Sequence, residues 1–278
     1  MAPRSMHDGN LLVGWGMATA TYPAHQLPAS CRATRRADGT FLVQAGTQDL
    51  GTGTYTIMTQ IAADALGVPF DKVTFELGDT VLPETPLSAG SFTAASTGSA
   101  VKGACEKLRA SGETSVEYRT EVSKNAEKYS MHSHGAVFAE VKVDEDLGLI
   151  RVTRLVGAYA GGTVLNAKTA RSQLIGGIVW SLGMALHEET VRDPRTGRIV
   201  TRDLADYHVP THADVPDIEV IFVDEKDPYV NEVGAKGLGE IGNTGASAAI
   251  ANAVFHATGK RVRDLPIRLD KLLPEVKS

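Results

Sequence analysis

The chain of 278 residues is poor in several residue types that carry particular functions. It has only two cysteines, Cys31 and Cys105, which excludes a disulfide framework. It also excludes an iron–sulfur cluster held by this chain alone, because such a cluster needs about four thiolates. Aromatic residues make up 6%, and basic residues neither cluster nor alternate with them, so no nucleic-acid-binding surface is predicted. No apolar run reaches the ~18 residues of a membrane helix, and no membrane span is predicted.

The remaining composition is that of an ordinary globular protein. Apolar residues account for 42% and charged residues for 22%, with a net charge of −5. The segment MAPRSMHDGN (1–10) lacks the apolar core of a secretory signal, and we interpret it as an exposed leader. Glycine is abundant, with 28 residues, so backbone contacts are expected to carry much of the function.

Strand and helix patterns alternate irregularly along the chain, which favours an α+β fold of two mixed α/β subdomains. Strands are predicted at 10–20, 40–45, 72–77 and 218–224, and the alternating residues 137–143 and 150–156 predict a hairpin turning at 144–148. Helices are predicted from 57 to a stop at Gly67, after the loop 86–100 as far as Leu108, and over 166–187 with Asn166 as N-cap. A last helix is predicted from about Thr244 to Ala257, with Gly259 as its C-terminal stop. The weakly patterned stretch 109–131 is interpreted as an exposed polar linker between subdomains at 10–108 and 132–278.

One carboxylate, Glu240, stands among glycines in GAKGLGEIG (234–242), directly before a small-residue helix. The segment contains GxGxxG, but a dinucleotide-binding site needs a strand immediately before that motif and a βαβ unit around it. Neither is predicted here, so a Rossmann site is not expected. Two interpretations of Glu240 remain open: a general base in a cleft cleared by the glycines, or an acid that stabilises the helix N-terminus.

Three further small-residue loops also precede predicted helices: GTQDLGTGT (46–54), AGSFTAASTG (89–98) and the approach to GGTVLNAKTARSQLIGG (161–177). Free N–H groups at helix N-termini bind anions. If these loops converge, they would suit a large organic cofactor that carries phosphate.

Several long blocks, in this order along the chain, resemble the C-terminal half of the molybdenum-cofactor subunit of the xanthine dehydrogenase/aldehyde oxidase family. The bacterial aldehyde oxidoreductases of the periplasmic type are the most similar members. The blocks are VGWGMATATYPA, GTQDLGTGTYTIMTQIAADALG, TAAS, MHSHGAVFAEVKVDEDLG, LNAKTARSQLIGGIVWSLGMALHEE, GAKGLGEIG and RVRDLPIRLDKLL. The upstream half of the family's subunit has no counterpart in this sequence.

The resemblance implies roles for individual residues. Glu240 matches the family's catalytic base, which takes a proton from a molybdenum-bound hydroxide during oxidative hydroxylation. Gln173 matches a glutamine that hydrogen-bonds the cofactor, and Lys236 and Gly237 lie where the loop of the base meets it. Contacts to the pterin, its phosphate or the metal surroundings are implied for Gln48, Gly51, Thr52, Gly53, Thr54, Ala94, Ala95 and Ser96. The family holds molybdenum through the pterin dithiolene, so no metal-ligating side chain is expected.

The resemblance also implies a cofactor and partners. Molybdopterin, in its cytosine dinucleotide form, is expected with molybdenum. The expected partners are the missing upstream half of the subunit and separate chains that hold iron–sulfur clusters and FAD. The substrate is expected to be an aldehyde, with a xanthine-like N-heterocycle as the alternative substrate. A second alternative is that the chain is a non-catalytic fragment. The location is expected to be cytoplasmic, or periplasmic if a partner with a signal exports the chain.

The other reactive residues are interpreted as structural. His132 and His134 share a strand face but have no third ligand, and His208 and His212 flank Pro210 in a predicted surface loop. Cys31 and Cys105 are expected to be packing or surface residues rather than residues that carry chemistry.

Overall fold

The computed structural model of the chain describes residues 2–273. It is an α+β protein with two β-sheets and four α-helices in the part described, which confirms the predicted class. The strands are β1 (Met6–Asp8), β2 (Leu11–Pro23), β3 (Ala29–Arg35), β4 (Phe41–Gln44), β5 (Val73–Glu76), β6 (Ser115–Thr120), β7 (His132–Asp144), β8 (Ile150–Ala160) and β9 (Asp217–Phe222). The helices are α1 (Thr54–Leu66), α2 (Thr93–Ala110), α3 (Ala167–Leu186) and α4 (Ile241–Thr258).

The larger sheet has five strands in the order β1-β2-β7-β8-β9. Strands β2 and β7 pair antiparallel from Leu11–Asp144 to Pro23–His132, and β9 joins β8 in parallel. Helix α4 packs on one face of this sheet, and α3 packs on α4. Gly16 makes this close approach possible, because a Cβ there would lie 2.2 Å from the carbonyl oxygen of Ala249 in α4.

The opposite face of the larger sheet carries exposed apolar side chains. Met17 in β2 pairs with Phe138 in β7, and Phe138 pairs with Val156 in β8, so these three side chains form one row. Trp15, Met17 and Phe138 are each about half exposed. Together with Val156 they line a groove of about 360 Å³.

The smaller sheet has four strands in the order β5-β4-β3-β6, with β4 and β5 parallel. Helices α1 and α2 pack against each other, and α2 packs on β3 and β6. Cys31 of β3 and Cys105 of α2 are both fully buried in this core, so of the two positions expected for them, packing or surface, the structure shows packing.

Some sequence expectations differ from the structure. Residues 109–131 are not a linker throughout, because they contain β6, which pairs with β3. Strand β3 was not among the predicted strands, and the turn at 37–40 joins it to β4. The division into subdomains 10–108 and 132–278 stays a prediction, but β2 pairs across it with β7. Residues 274–278 of the second subdomain lie outside the described residues.

Within residues 2–273, no helix combines the length and the apolar character that crossing a membrane requires.

Candidate active site

A cavity of about 400 Å³ is lined by the segments that lead into all four α-helices of the described chain. The loop before α1 contributes Gln48, Leu50 and Thr52. Residues 88–91 precede α2, and residues 163–166 precede α3. The loop before α4 contributes Ala235, Lys236, Leu238, Gly239 and Glu240. The expected convergence of the four loops is therefore observed.

Glu240 immediately precedes the first turn of α4, but its side chain accepts no hydrogen bond from the helix N–H groups. Its carboxylate therefore makes no capping hydrogen bond, although its charge lies at the positive end of the helix dipole. Instead, the hydroxyl of Ser91 donates a hydrogen bond to Oε2 of Glu240. Tyr22 lies nearby: burial, and then the charge of Glu240, raise the pKa of its phenol above the usual value.

Lys236 makes a different contact from the one expected of a cofactor-binding cation. Its side chain is 4% exposed, and its ammonium lies 2.8 Å from Glu225 and 3.0 Å from Asp227. Burial disfavours the charged form, but hydrogen bonds to these two carboxylates outweigh it and raise the pKa of Lys236. The ammonium is thus already paired twice, although the residue lines the cavity.

The loop 46–54 is organised around Asp49. Its carboxylate accepts backbone N–H groups of Gly51 at 2.8 Å, Gly53 at 3.2 Å and Tyr55 at 3.2 Å. Burial raises the pKa of Asp49, but these donors outweigh it and hold the pKa below the usual value. The N–H groups of Gly51 and Gly53 are therefore turned to Asp49, and neither glycine lines the cavity.

The polar side chains of the same loop do reach the cavity. Gln48, Thr52 and Thr54 all line it. The Gln48 side-chain oxygen accepts a hydrogen bond of 2.5 Å from the hydroxyl of Ser88. This bond ties the loop before α1 to the loop before α2.

The predicted segment Ala94-Ala95-Ser96 begins α2, and only Ala94 lines the cavity. Ala95 and Ser96 are buried, and the Ser96 hydroxyl accepts a hydrogen bond of 2.9 Å from the N–H of Leu27. The first intrahelical bond of α2 runs from the N–H of Ser96 to the carbonyl of Phe92. The N–H groups of Thr93 and Ala94 precede this bond, so they have no partner within the helix.

Helix α3 contributes Gln173, which lines the cavity as expected. A Cβ on Gly239 would lie 3.5 Å from its side-chain oxygen, so Gln173 borders the loop of Glu240. The N-terminus of α3 is already capped, because Asn166 accepts from the N–H groups of Lys168 at 3.1 Å and Thr169 at 3.2 Å. Gly237 does not line the cavity, and its carbonyl accepts a hydrogen bond of 3.0 Å from Ser133.

Sequence reasoning missed Ser91, Tyr22 and Trp180, which lie at or near the cavity. The only local signal for Ser91 was the Gly-Ser pair at 90–91, which marks a turn but not its contact partner. No group of three or more His, Cys, Asp or Glu side chains among the described residues could hold a metal ion.

A family model for the molybdopterin cofactor-binding domain matches residues 2–126 and 110–216. The chain therefore belongs to the molybdopterin cofactor-binding family. The loop of Glu240 lies beyond the matched residues.

Curated relatives place the chain near two kinds of subunit. The aldehyde oxidoreductase molybdenum-binding subunit PaoC of Escherichia coli (strain K12) is 39% identical over 308 residues, covering 99% of this chain and 42% of that protein. The putative xanthine dehydrogenase molybdenum-binding subunit XdhA of the same strain is 27% identical over 327 residues, which cover 96% of this chain and 42% of that protein. The chain thus spans about two fifths of the length of these relatives.

Solved structures share the fold. The aldehyde oxidoreductase from Desulfovibrio gigas superposes with a TM-score of 0.83 at 25% identity, covering 96% of this chain and 32% of that one. The CO dehydrogenase from Oligotropha carboxidovorans has a TM-score of 0.83 at 20% identity, covering 95% of this chain and 40% of that one. At this identity the similarity shows a shared fold and nothing further. These comparisons confirm the resemblance found in the sequence.

Proposed function

We propose that this chain forms part of a molybdopterin-dependent oxidoreductase that hydroxylates an aldehyde to a carboxylic acid, with Glu240 as the general base. One observation carries the proposal: a carboxylate that makes no hydrogen bond to the helix it precedes lines a cavity bounded by four loops, each of which leads into a helix. Membership of the molybdopterin cofactor-binding family supports the cofactor, and similarity to PaoC supports the aldehyde.

The residues present fit such a cofactor. A cavity of about 400 Å³ is within the usual size range of cofactor sites. Amide side chains of Gln48 and Gln173 suit the edges of a pterin, and the N–H groups of Thr93 and Ala94 suit a phosphate. When bound, the molybdenum group supplies the two-electron oxidant for the reaction. Lys236 would hold the loop of Glu240 in place rather than bind the cofactor, because its ammonium is already paired with Glu225 and Asp227.

The chemical role of Glu240 would be to remove a proton from the nucleophile. One oxygen, Oε2, accepts a hydrogen bond from Ser91, and Oε1 would accept the proton. A positioned general base contributes about 10²- to 10⁴-fold to a rate. Glu240 is the only carboxylate among the residues that line the cavity in the described chain.

We also propose partners for the chain. The relatives are more than twice as long as the part it matches, which supports a separate upstream half that completes the site. Partner subunits with iron–sulfur clusters and FAD would take up the electrons, because two buried cysteines cannot hold a cluster. The cytosine dinucleotide form of the cofactor is proposed from the resemblance to bacterial aldehyde oxidoreductases. The exposed apolar row of Met17 and Phe138 is a suitable surface for the upstream half.

The first experiment measures the molybdenum-to-protein ratio of the chain, purified from a host that makes the cofactor, alone and co-expressed with the upstream half. A ratio near one in either preparation supports the site. A ratio near zero in both, with the chain folded, would favour the alternative of a non-catalytic fragment.

The second experiment tests the base in the assembled enzyme. Glu240→Gln should leave the molybdenum content intact and reduce turnover by about 10²-fold or more. Glu113→Gln changes an exposed acid in the turn after α2 and should behave like the wild type. Unchanged turnover in Glu240→Gln would remove the base assignment.

An N-heterocycle is the second candidate substrate, because XdhA is also similar to the chain. Turnover of a purine with no turnover of aromatic or aliphatic aldehydes would favour this alternative.

A further inference from the structure

The hydroxyl of Ser91 makes two hydrogen bonds to the loop of Glu240. It accepts from the N–H of Gly239 at 3.0 Å and donates to Oε2 of Glu240. Ser91 and Glu240 are 149 residues apart in sequence, so the contact joins the loop before α2 to the loop before α4. The serine thus holds both the backbone and the side chain of the second loop.

Ser91 also has an unusual backbone conformation. Its φ of 55° lies in the left-handed region, which residues other than glycine rarely adopt. Such a conformation is unfavourable for a serine and persists only where the surroundings impose it. Here it places the Ser91 side chain against the loop of Glu240.

The glycines beside Glu240 make room for this serine. A Cβ on Gly237 would lie 2.7 Å from the Cβ of Ser91, and a Cβ on Gly239 would lie 2.4 Å from its hydroxyl oxygen. Both distances are far below van der Waals contact. The absence of side chains at these two positions therefore allows Ser91 to reach the carboxylate.

We infer that Ser91 is a positioning residue for Glu240, whose hydroxyl fixes Oε2 and leaves Oε1 to accept the proton. The inference rests on the proposed function, because it assigns Ser91 to the same proton transfer. In that step the proton of the nucleophile moves to Oε1, and Ser91 keeps its own proton. A base held in one orientation reacts faster because small displacements of a catalytic group are costly to the rate.

The test compares Ser91→Ala, Glu240→Gln and the double variant in the assembled enzyme. Ser91→Ala should lower kcat on the order of tenfold with little change in KM and an unchanged molybdenum content. Because Ser91 acts through Glu240, the double variant should be no slower than Glu240→Gln alone. A double variant that is a further tenfold slower would overturn the inference.

A second readout does not depend on activity. In the 278-residue chain without cofactor, Ser91→Ala should lower the unfolding temperature in the wild-type background. The same change should have a smaller effect in a Glu240→Ala background, where the hydroxyl has lost its acceptor. Equal effects in both backgrounds would show that the two side chains do not interact, and would overturn the inference.

Two further variants complete the design. Ser91→Gly removes the hydroxyl but accepts the left-handed backbone readily, so it keeps the test valid if Ser91→Ala does not fold. Ser172→Ala alters an exposed serine of α3 that does not line the cavity, and it should match the wild type.

The outcomes separate the two proposals. If Glu240→Gln reduces turnover severely and both Ser91 variants turn over at the wild-type rate, the positioning role fails and the base remains. If Glu240→Gln has no effect on turnover, the proposed base fails, and the positioning role that rests on it fails too. The unfolding comparison then reports only whether the contact between Ser91 and Glu240 exists.

Discussion

The ammonium of Lys236 lies 2.8 Å from Oε1 of Glu225, and the lysine side chain is almost fully buried. The other carboxylate oxygen of Glu225 accepts a hydrogen bond of 3.0 Å from the N–H of Gly162. Gly162 also forms a β-bridge with Ala235. The ion pair and the bridge therefore fix the loop of Glu240 to the segment that leads into α3.

Replacing Lys236 by methionine should destabilise the protein by about 3 kcal/mol, because Glu225 and Asp227 would remain without their cation. Urea unfolding at neutral pH measures the change. The control is Lys124→Met, an exposed lysine in the segment after β6, for which we expect a small effect. If Lys236→Met lowers the free energy of unfolding as little as the control does, the ion pairs of Lys236 do not stabilise the loop.

The contribution of Asp227 should depend on pH. Burial raises its pKa, but hydrogen bonds from Lys236 and from backbone N–H groups outweigh it and hold the pKa below its ordinary value of 3.8. A carboxyl with a lowered folded-state pKa stabilises the protein above the unfolded-state value and loses this contribution as the pH falls through the folded-state value. The stability difference between the wild type and Asp227→Asn should therefore be largest near neutral pH and shrink below about pH 4. A difference that stays constant down to pH 3 would contradict this assignment.

Two glycine substitutions should have opposite effects on stability. Gly16→Ala places a Cβ 2.2 Å from the backbone of α4, and neither β2 nor the helix can yield cheaply, so we expect a loss of about 3 kcal/mol. Gly176→Ala lies on the exposed side of α3 with no atom within 4 Å, and should stabilise by about 1 kcal/mol through helix propensity. Denaturant midpoints of the two variants test this; a tolerated Gly16→Ala would mean that α4 can move away from the sheet.

Local signals in the sequence predicted the helices well. Asn166 caps α3 as expected, and Gly67 and Gly259 end α1 and α4 in left-handed conformations. These features depend on a few neighbouring residues, so the sequence carries them directly. The four loops that precede helices could be recognised for the same reason, and with them most residues that line the cavity.

Features that depend on distant pairing could not be predicted in the same way. Strand β3 was missed because its buried residues, Ala29, Cys31 and Ala33, are small and give weak alternation. The pairing of β2 with β7 joins residues more than a hundred positions apart, and the contact of Ser91 with Glu240 joins residues 149 apart. Only the folded chain brings these groups together.

The two thiols should be unreactive in the folded protein. Burial raises the pKa of Cys31 well above its usual range and that of Cys105 to about 12, so neither forms a thiolate at pH 8. An aromatic disulfide reagent should therefore release no chromophore from the native chain and two equivalents in denaturant. Release from the native chain faster than global unfolding would show that one core opens locally.

The two tryptophans should report separately on partner and cofactor. Trp15 is 50% exposed on the open face of the larger sheet, and Trp180 is 56% exposed at the cavity. In Trp180→Phe, the remaining indole of Trp15 should shift its emission to the blue when the upstream half binds, because water leaves the sheet face. In Trp15→Phe, cofactor loading should change the emission of Trp180. If the emission of Trp15 is the same in the isolated chain and in the assembled enzyme, the upstream half binds elsewhere. The exposed apolar row of Met17 and Phe138 would then remain in contact with solvent.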